Sequence, residues 1–342
     1  MRCSLARSPR KFHFAVVFVL ALCGAVAAQS AADPLTFTFY NPTGSTFTVP
    51  GAIDSAGRTV GYYIDGARVY HGFVRLAGGQ LTTFDPPGSG FTIARRSTPA
   101  GVITGYYLDS ANIYHGFVRD AAGNFVSFDV TGALITLPLG MNAHGQITGF
   151  YSDTVGAHGF TRNTDGTIHT FDACRGVTTI ATSINSTGQI AGYFVDSKKI
   201  QHGFLRSANG ACRRIDGPGA TQTLGIALND AGATVGTYLD AANVQHGFLR
   251  STDGTVVTVD PPGSINTTPS EISPDGLVVG YFQTGSGGAQ GFVRNTDGSY
   301  AIINVPGALD TNLYGINRAD QVVGNENQST GVYEGIVFRY VP

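Results

Sequence analysis

The sequence contains no tryptophan, only four cysteines, and charged residues at just 13% of its 342 positions. With 21 Lys and Arg against 23 Asp and Glu, it has no basic stretch able to neutralise a phosphate backbone, so nucleic acid is not an expected partner. Recognisable chemical motifs are missing too. There is no His-Glu-x-x-His or Cys-x-x-Cys spacing for a metal, no phosphate-cradling Gly-x-x-x-x-Gly-Lys-Ser/Thr loop, and no Gly-x-Ser-x-Gly elbow for a nucleophile. No catalytic, cofactor-binding or metal-binding residue is assigned on this basis. Long helices are disfavoured by the 47 glycines, whereas 15 Tyr and 21 Phe suit pleated, half-buried strands.

Long apolar runs are scarce as well, and the one that stands out lies at the start. Arg2, Arg7, Arg10 and Lys11 precede an apolar stretch from Phe12 to Val26 that ends in Ala25-Val26-Ala27-Ala28. This layout predicts a secretory signal peptide over residues 1–28, cleaved after Ala27 or Ala28. The stretch is shorter than the roughly 20 apolar residues that span a bilayer, so no membrane span is expected after cleavage. Leu20-Ala21-Leu22-Cys23 imitates a lipoprotein signal, but Leu22 stands where a small residue is needed. Loss of the leader removes four positive charges and no negative ones, moving the formal charge from −2 to −6. A secreted or periplasmic location follows.

What remains, residues 29–342, is repetitive. His-Gly-Phe recurs at His71, His115, His158, His202 and His246, and continues as Gln290-Gly291-Phe292 and Glu334-Gly335-Ile336, in steps of 44 residues with one step of 43. A second series, Gly61, Gly105, Gly149, Gly192, Gly236, Gly280 and Gly324, places the single deletion between Gly149 and His158. Within the fourth repeat the pattern predicts a strand ending at Ile184-Asn185, a turn over Asn185-Ser186-Thr187-Gly188, strands over Gln189–Val195 and Gln201–Arg206, and a fourth ending at Ile215-Asp216. Four short strands per repeat of about 44 residues predict an all-β fold, a seven-bladed β-propeller of four-stranded blades. The seventh unit ends before its fourth strand. Leu35–Asn41 occupies the matching repeat position, so this N-terminal strand is expected to complete the last blade, close the ring and protect a sheet edge.

In five repeats the landmark His is followed fourteen residues later by Asp: Asp85, Asp129, Asp172, Asp216 and Asp260. Where His becomes Gln290 the partner is Asn304, and where it becomes Glu334 the partner is Asn41. A catalytic relay would not be copied five times, so these pairs are read as cross-strand hydrogen bonds. Thr48, Thr92, Thr136, Thr179, Thr223, Thr267 and Thr311, present in every repeat, are likewise read as scaffold rather than as a ring of hydroxyls at a channel mouth. Cys174 and Cys212 are offset by six residues when their repeats are superposed, about 20 Å at strand rise, which argues against a disulfide unless loop geometry intervenes.

The His-Gly-Phe landmarks, together with Ile184-Asn185-x-x-Gly188-x-Ile190-x-Gly192-Tyr193, resemble the extracellular HAF-type repeat family of bacteria. Gly replaces the Ala of the family name in all seven landmarks. The resemblance implies an exported, propeller-like repeat protein and carries no activity or catalytic residues with it.

Specific function is expected where the repeats differ. In the seventh, Gly324-Asn325-Glu326-Asn327 replaces an aromatic pair and Glu334 replaces His, so Glu326 and Glu334 are candidate ligand-binding residues or an acid–base pair for a glycan. The simpler reading has Glu334 bonded to Asn41. Arg95-Arg96, Lys198-Lys199 and Arg213-Arg214 are read as solvated surface. The expected function is a non-catalytic, monomeric binding or scaffold module for an extracellular ligand, glycan or protein. The alternative is an exported hydrolase or lyase acting on a polysaccharide or similar polymer.

Overall fold

The computed structural model describes residues 35–342 apart from 286, 329 and 330, so the leader lies outside the described residues. Every repeat folds into short antiparallel strands at the expected positions. In the fourth these are Thr178–Ile184, Ile190–Val195, Gln201–Arg206 and Cys212–Ile215. Five sheets have four strands each, and the two ends of the described chain share an eight-stranded sheet. There Thr38–Tyr40 pairs antiparallel with Tyr333–Arg339, and one parallel bridge, Phe47 to Tyr333, joins two groups of four strands. Residues of the N-terminal strand thus complete the sheet that holds the seventh repeat, as its repeat position predicts.

Burial follows from packing each sheet between neighbours. The landmark phenylalanines Phe73, Phe117, Phe160, Phe204, Phe248 and Phe292, with Ile336 in the seventh repeat, are fully buried. Turn residues then tie one sheet to the next. Asn185 Oδ1 accepts the backbone N–H groups of Thr187 and Gln189, closing its own turn, while its Nδ2 donates to the carbonyl of Asn229 in the following repeat at 3.1 Å. Asn142, Asn229 and Asn317 donate in the same way to Asn185, Ser273 and Asp54. One side chain thereby satisfies a tight turn and bridges two sheets.

The first strand of each repeat carries a β-bulge at one fixed position, where residues such as Gly51, Arg95 and Thr182 drop out of register with the second strand. Beside each bulge stands the second-series glycine. A Cβ at Gly61, Gly105 or Gly192 would lie 2.0–2.1 Å from the carbonyl oxygen of Val49, Ile93 or Ile180, so no larger residue fits without moving backbone. The recurrence of this glycine reflects close approach of chains, since none of these positions has positive φ.

One expectation is corrected: Cys174 and Cys212 form a disulfide, with Cα atoms 5.2 Å apart. The offset along superposed strands does not measure their separation, because Cys174 has left the strand. It lies in a 3-10 turn, Ala173–Arg175, in which Cys174 and Arg175 both adopt positive φ. The turn folds against the next sheet, burying Ala173 with Phe194 and Phe204 and bringing both cysteines to the same cluster.

Two stability measurements check this account. Gly192→Ala should lower the free energy of unfolding by about 3 kcal/mol, or prevent folding, in a denaturant titration. Because the disulfide spans 38 residues, Cys174→Ser with Cys212→Ser should cost about 2 to 4 kcal/mol in the same assay.

Candidate functional site

Most of the repeated polar groups are engaged in structure. Nδ1 of His71, His115, His158, His202 and His246 lies 2.6–2.9 Å from the Asp fourteen residues on, and because a carboxylate can only accept, the imidazole donates. A second carboxylate faces Nε2 in each case: Asp65, Asp109, Asp153, Asp196 or Asp240, at 3.3–3.6 Å. These second aspartates also fold their own loops, as Asp65 does by accepting the N–H groups of Ala67 and Val69. An aromatic ring lies against the imidazole as well, Tyr63 on His71 and Tyr238 on His246 with centroids 5.0 Å apart. Burial works against a charge on His71, His115 and His246, but the flanking carboxylates outweigh it and hold these imidazoles above their ordinary pKa.

The repeated threonines are buried and serve the connections between sheets. Thr136, Thr179, Thr223 and Thr311 accept the N–H of Val130, Ala173, Gly217 and Val305, each the residue after the outer-strand Asp or Asn. Where proline follows instead, that donor does not exist. Accordingly, after Asn41-Pro42 Thr48 donates to Asn41, after Asp85-Pro86 Thr92 donates to Ser89, and after Asp260-Pro261 the Thr267 hydroxyl has no partner among the described residues.

Glu326 and Glu334 are brought together, directly opposite each other on adjacent strands. They replace the aromatic–His stack of the other repeats. Glu334 accepts from Asn41 Nδ2 at 3.0 Å. Glu326 is wholly buried, and neither of its carboxyl oxygens has a hydrogen-bond partner among the described residues. Burial, reinforced by the neighbouring Glu334, pushes its carboxyl above the usual range. A buried carboxyl held toward its neutral form, opposite one already bonded to Asn41, does not present an acid–base pair to a polymer.

The site that sequence reading missed lies among the first strands. A cavity of about 350 Å³ opens between them, within the size range of small-molecule pockets. Six of the seven bulge residues line it: Gly51, Arg95, Thr182, Ile226, Ser270 and Tyr314. The seventh bulge residue is Leu139. No two are alike, although the positions are equivalent. Tyr62, Tyr193 and Tyr281 from the second strands also face the cavity. Lys198, Lys199, Arg213 and Arg214 are exposed as expected, but Arg95 and Arg96 are not a solvated pair. The bulge turns Arg95 into the cavity, and Arg96 is fixed by the Gly51 carbonyl at 2.9 Å and by Glu271 at 3.1 Å. Burial presses the Arg95 guanidinium and the Tyr62, Tyr193 and Tyr314 phenols toward their neutral forms, and those phenols therefore stay protonated. The available signal was the pattern of differences at one repeat position, three residues after each threonine.

No family model and no curated protein matches this chain. Among solved structures, it is similar to virginiamycin B lyase from Staphylococcus aureus, with a TM-score of 0.59 at 12% identity over 90% of this chain and all of that one. It is also similar to the β-propeller domain of the trilobed protease from Pyrococcus furiosus, with a TM-score of 0.62 at 11% identity over 86% of this chain and 94% of that one. Puromycin hydrolase gives a TM-score of 0.59 at 12% identity, covering 88% of this chain but 54% of the hydrolase. At such identities the likeness establishes the fold, a β-propeller, and nothing about activity. Among the described residues no helix is long and apolar enough to cross a membrane.

The titrating groups predict a pH dependence. A His with a raised folded pKa contributes stability that is complete below its ordinary value and lost as pH rises through the folded one. A carboxyl with a raised folded pKa acts in the same sense, since the folded state holds its proton more tightly. The loop aspartates, Asp65, Asp109, Asp196 and Asp240, have lowered pKa values through backbone hydrogen bonds, and their contribution is lost as pH falls through the acid range. Stability should therefore peak in mildly acidic solution and decline toward pH 8. Glu326→Gln should remove part of that decline, leaving the variant about 1 to 2 kcal/mol more stable than the parent at pH 8 and equal to it near pH 4. Equal stability at both pH values would refute the buried-carboxyl assignment.

Proposed function

We propose that residues 29–342 form a closed seven-bladed propeller, exported behind a cleaved leader, that acts as a monomeric, non-catalytic binding module and seats its ligand in the cavity between the first strands. The observation that carries this reading is the bulge position, where seven equivalent sites hold seven different residues and six line one cavity. A scaffold that only had to fold would need no such variety there. The signal-peptide layout and the resemblance to the HAF-type repeat family support export. Pairing of the first described strand with the last supports closure. A hydrolase or lyase built on Glu326 and Glu334 is disfavoured, because one carboxyl is sealed and the other is bonded to Asn41.

The test is a binding screen of glycans, peptides and extracellular polymers against the purified protein, with turnover assayed on every hit. Binding without turnover is expected, unchanged by Glu326→Gln and Glu334→Gln. Gly51→Leu should abolish it: a Cβ there meets nothing closer than 3.4 Å, so the variant should fold while its side chain occupies the cavity. Turnover that disappears in Glu326→Gln would establish the enzyme instead. A mature N-terminus at Ala28 or Gln29 in the exported fraction would verify cleavage.

A further inference from the structure

The chemistry of the cavity narrows its ligand, and this step rests on the cavity being the binding site. Arg95 enters the cavity without a carboxylate. It makes no ion pair or hydrogen bond among the described residues, and its buried Nε has no acceptor. Its neighbour Arg96 is compensated by Glu271. One positive charge is thus left over in a partly enclosed space, where an unpaired ion is costly and a counter-ion correspondingly favoured.

The surroundings specify more than sign. Tyr62, Tyr193 and Tyr281 line the cavity, and their hydroxyls have no hydrogen-bond partner among the described residues, so ring faces and unused donors are offered together. Val49, Leu224 and Ile226 supply apolar wall. The fork of a guanidinium matches the two oxygens of a carboxylate. A phosphate monoester carries nearly two negative charges at neutral pH and would leave one uncompensated against a single free cation.

We propose that the cavity binds a small, ring-bearing monocarboxylate, with the carboxylate held by Arg95 and the ring seated against the tyrosines. Two sources share this chemistry, sugar acids and aromatic acids, and matched pairs distinguish them. Calorimetry on the purified protein would compare glucuronate with glucose, galacturonate with galactose, and 4-hydroxybenzoate with 4-hydroxybenzyl alcohol, with inorganic phosphate as a further arm. At least one acid should bind about 10- to 100-fold more tightly than its neutral partner, the usual effect of one charge-assisted hydrogen-bonded pair. Arg95→Gln should erase that difference while leaving the circular dichroism intact and the thermal midpoint no lower. The acid class that binds identifies the source.

The proposal is overturned if no acid binds, if neutral partners bind equally well, if phosphate binds more tightly than every carboxylate, or if Arg95→Gln leaves acid affinity unchanged. Its failure is separable from failure of the cavity reading. A ligand displaced by Gly51→Leu but indifferent to Arg95→Gln keeps the cavity and discards the carboxylate. An acid whose binding survives Gly51→Leu discards the cavity.

Discussion

The contact on which this architecture turns is the one between a glycine and a carbonyl oxygen. At each repeat the second strand presses against a bulged first strand so closely that a Cβ would sit about 2 Å from the carbonyl, at Gly149, Gly236, Gly280 and Gly324 as at the three positions described above. The bulge requires the glycine, and the glycine permits the bulge. One consequence is geometric. The extra residue leaves the ladder, so its side chain is released from cross-strand packing and can change from repeat to repeat without harming the sheet. Constraint on one strand thus creates freedom on its neighbour, and the free positions are those that line the cavity.

The regular part of the molecule was legible because it is copied. Strand positions in the fourth repeat, the fourteen-residue His–Asp spacing and the place of Asn41 opposite Glu334 all follow from aligning one repeat with the next, and the hydrogen bonds bear them out. What alignment cannot supply is direction. Nothing in Arg95-Arg96 reveals that one guanidinium enters a cavity while the other meets Glu271, because that depends on a bulge with no composition of its own. The disulfide escaped for a related reason. Two left-handed residues at Cys174 and Arg175 take the chain off the strand axis from which the separation had been reckoned. The second aspartate at each His was not read from the sequence, because its service to its own loop and to the imidazole six residues on appears only in three dimensions.

Each imidazole sits between two carboxylates with an aromatic ring against it, an arrangement that would suggest a relay if it occurred once. Its repetition shows instead a polar clamp that joins the third strand to the outer strand on one side and to the preceding loop on the other. The two exceptions differ: the sixth repeat shows no hydrogen bond between Gln290 and Asn304 among the described residues, whereas the seventh keeps its bond. The sixth repeat puts Gln290 against Phe282, with Gly291 opposite Ile303, and keeps the strand pairing without a charge. In the seventh, an amide must meet the landmark residue, since position 41 is Asn, and Glu334 accepts from it where a His–Asp pair would donate. Donor and acceptor exchange places, and the hydrogen bond survives.

That exchange also explains the sealed carboxyl. With Glu334 in place of His, an aromatic ring at position 326 would lie against a carboxylate rather than an imidazole, losing the favourable stacking of the other repeats. Glu326 in that place is pushed toward its neutral form by burial first and by the adjacent carboxyl second. Asn325, also buried, reaches the Thr48 carbonyl on the strand that follows the N-terminal segment, and Tyr314 donates to its side-chain oxygen. The polar substitutions of the seventh repeat therefore converge on the junction between the two ends of the described chain. The asymmetry there serves assembly. At the bulges Thr182 and Tyr314 also bond within the protein, whereas the Arg95 guanidinium finds no partner among the described residues, and a ligand is what that side chain lacks.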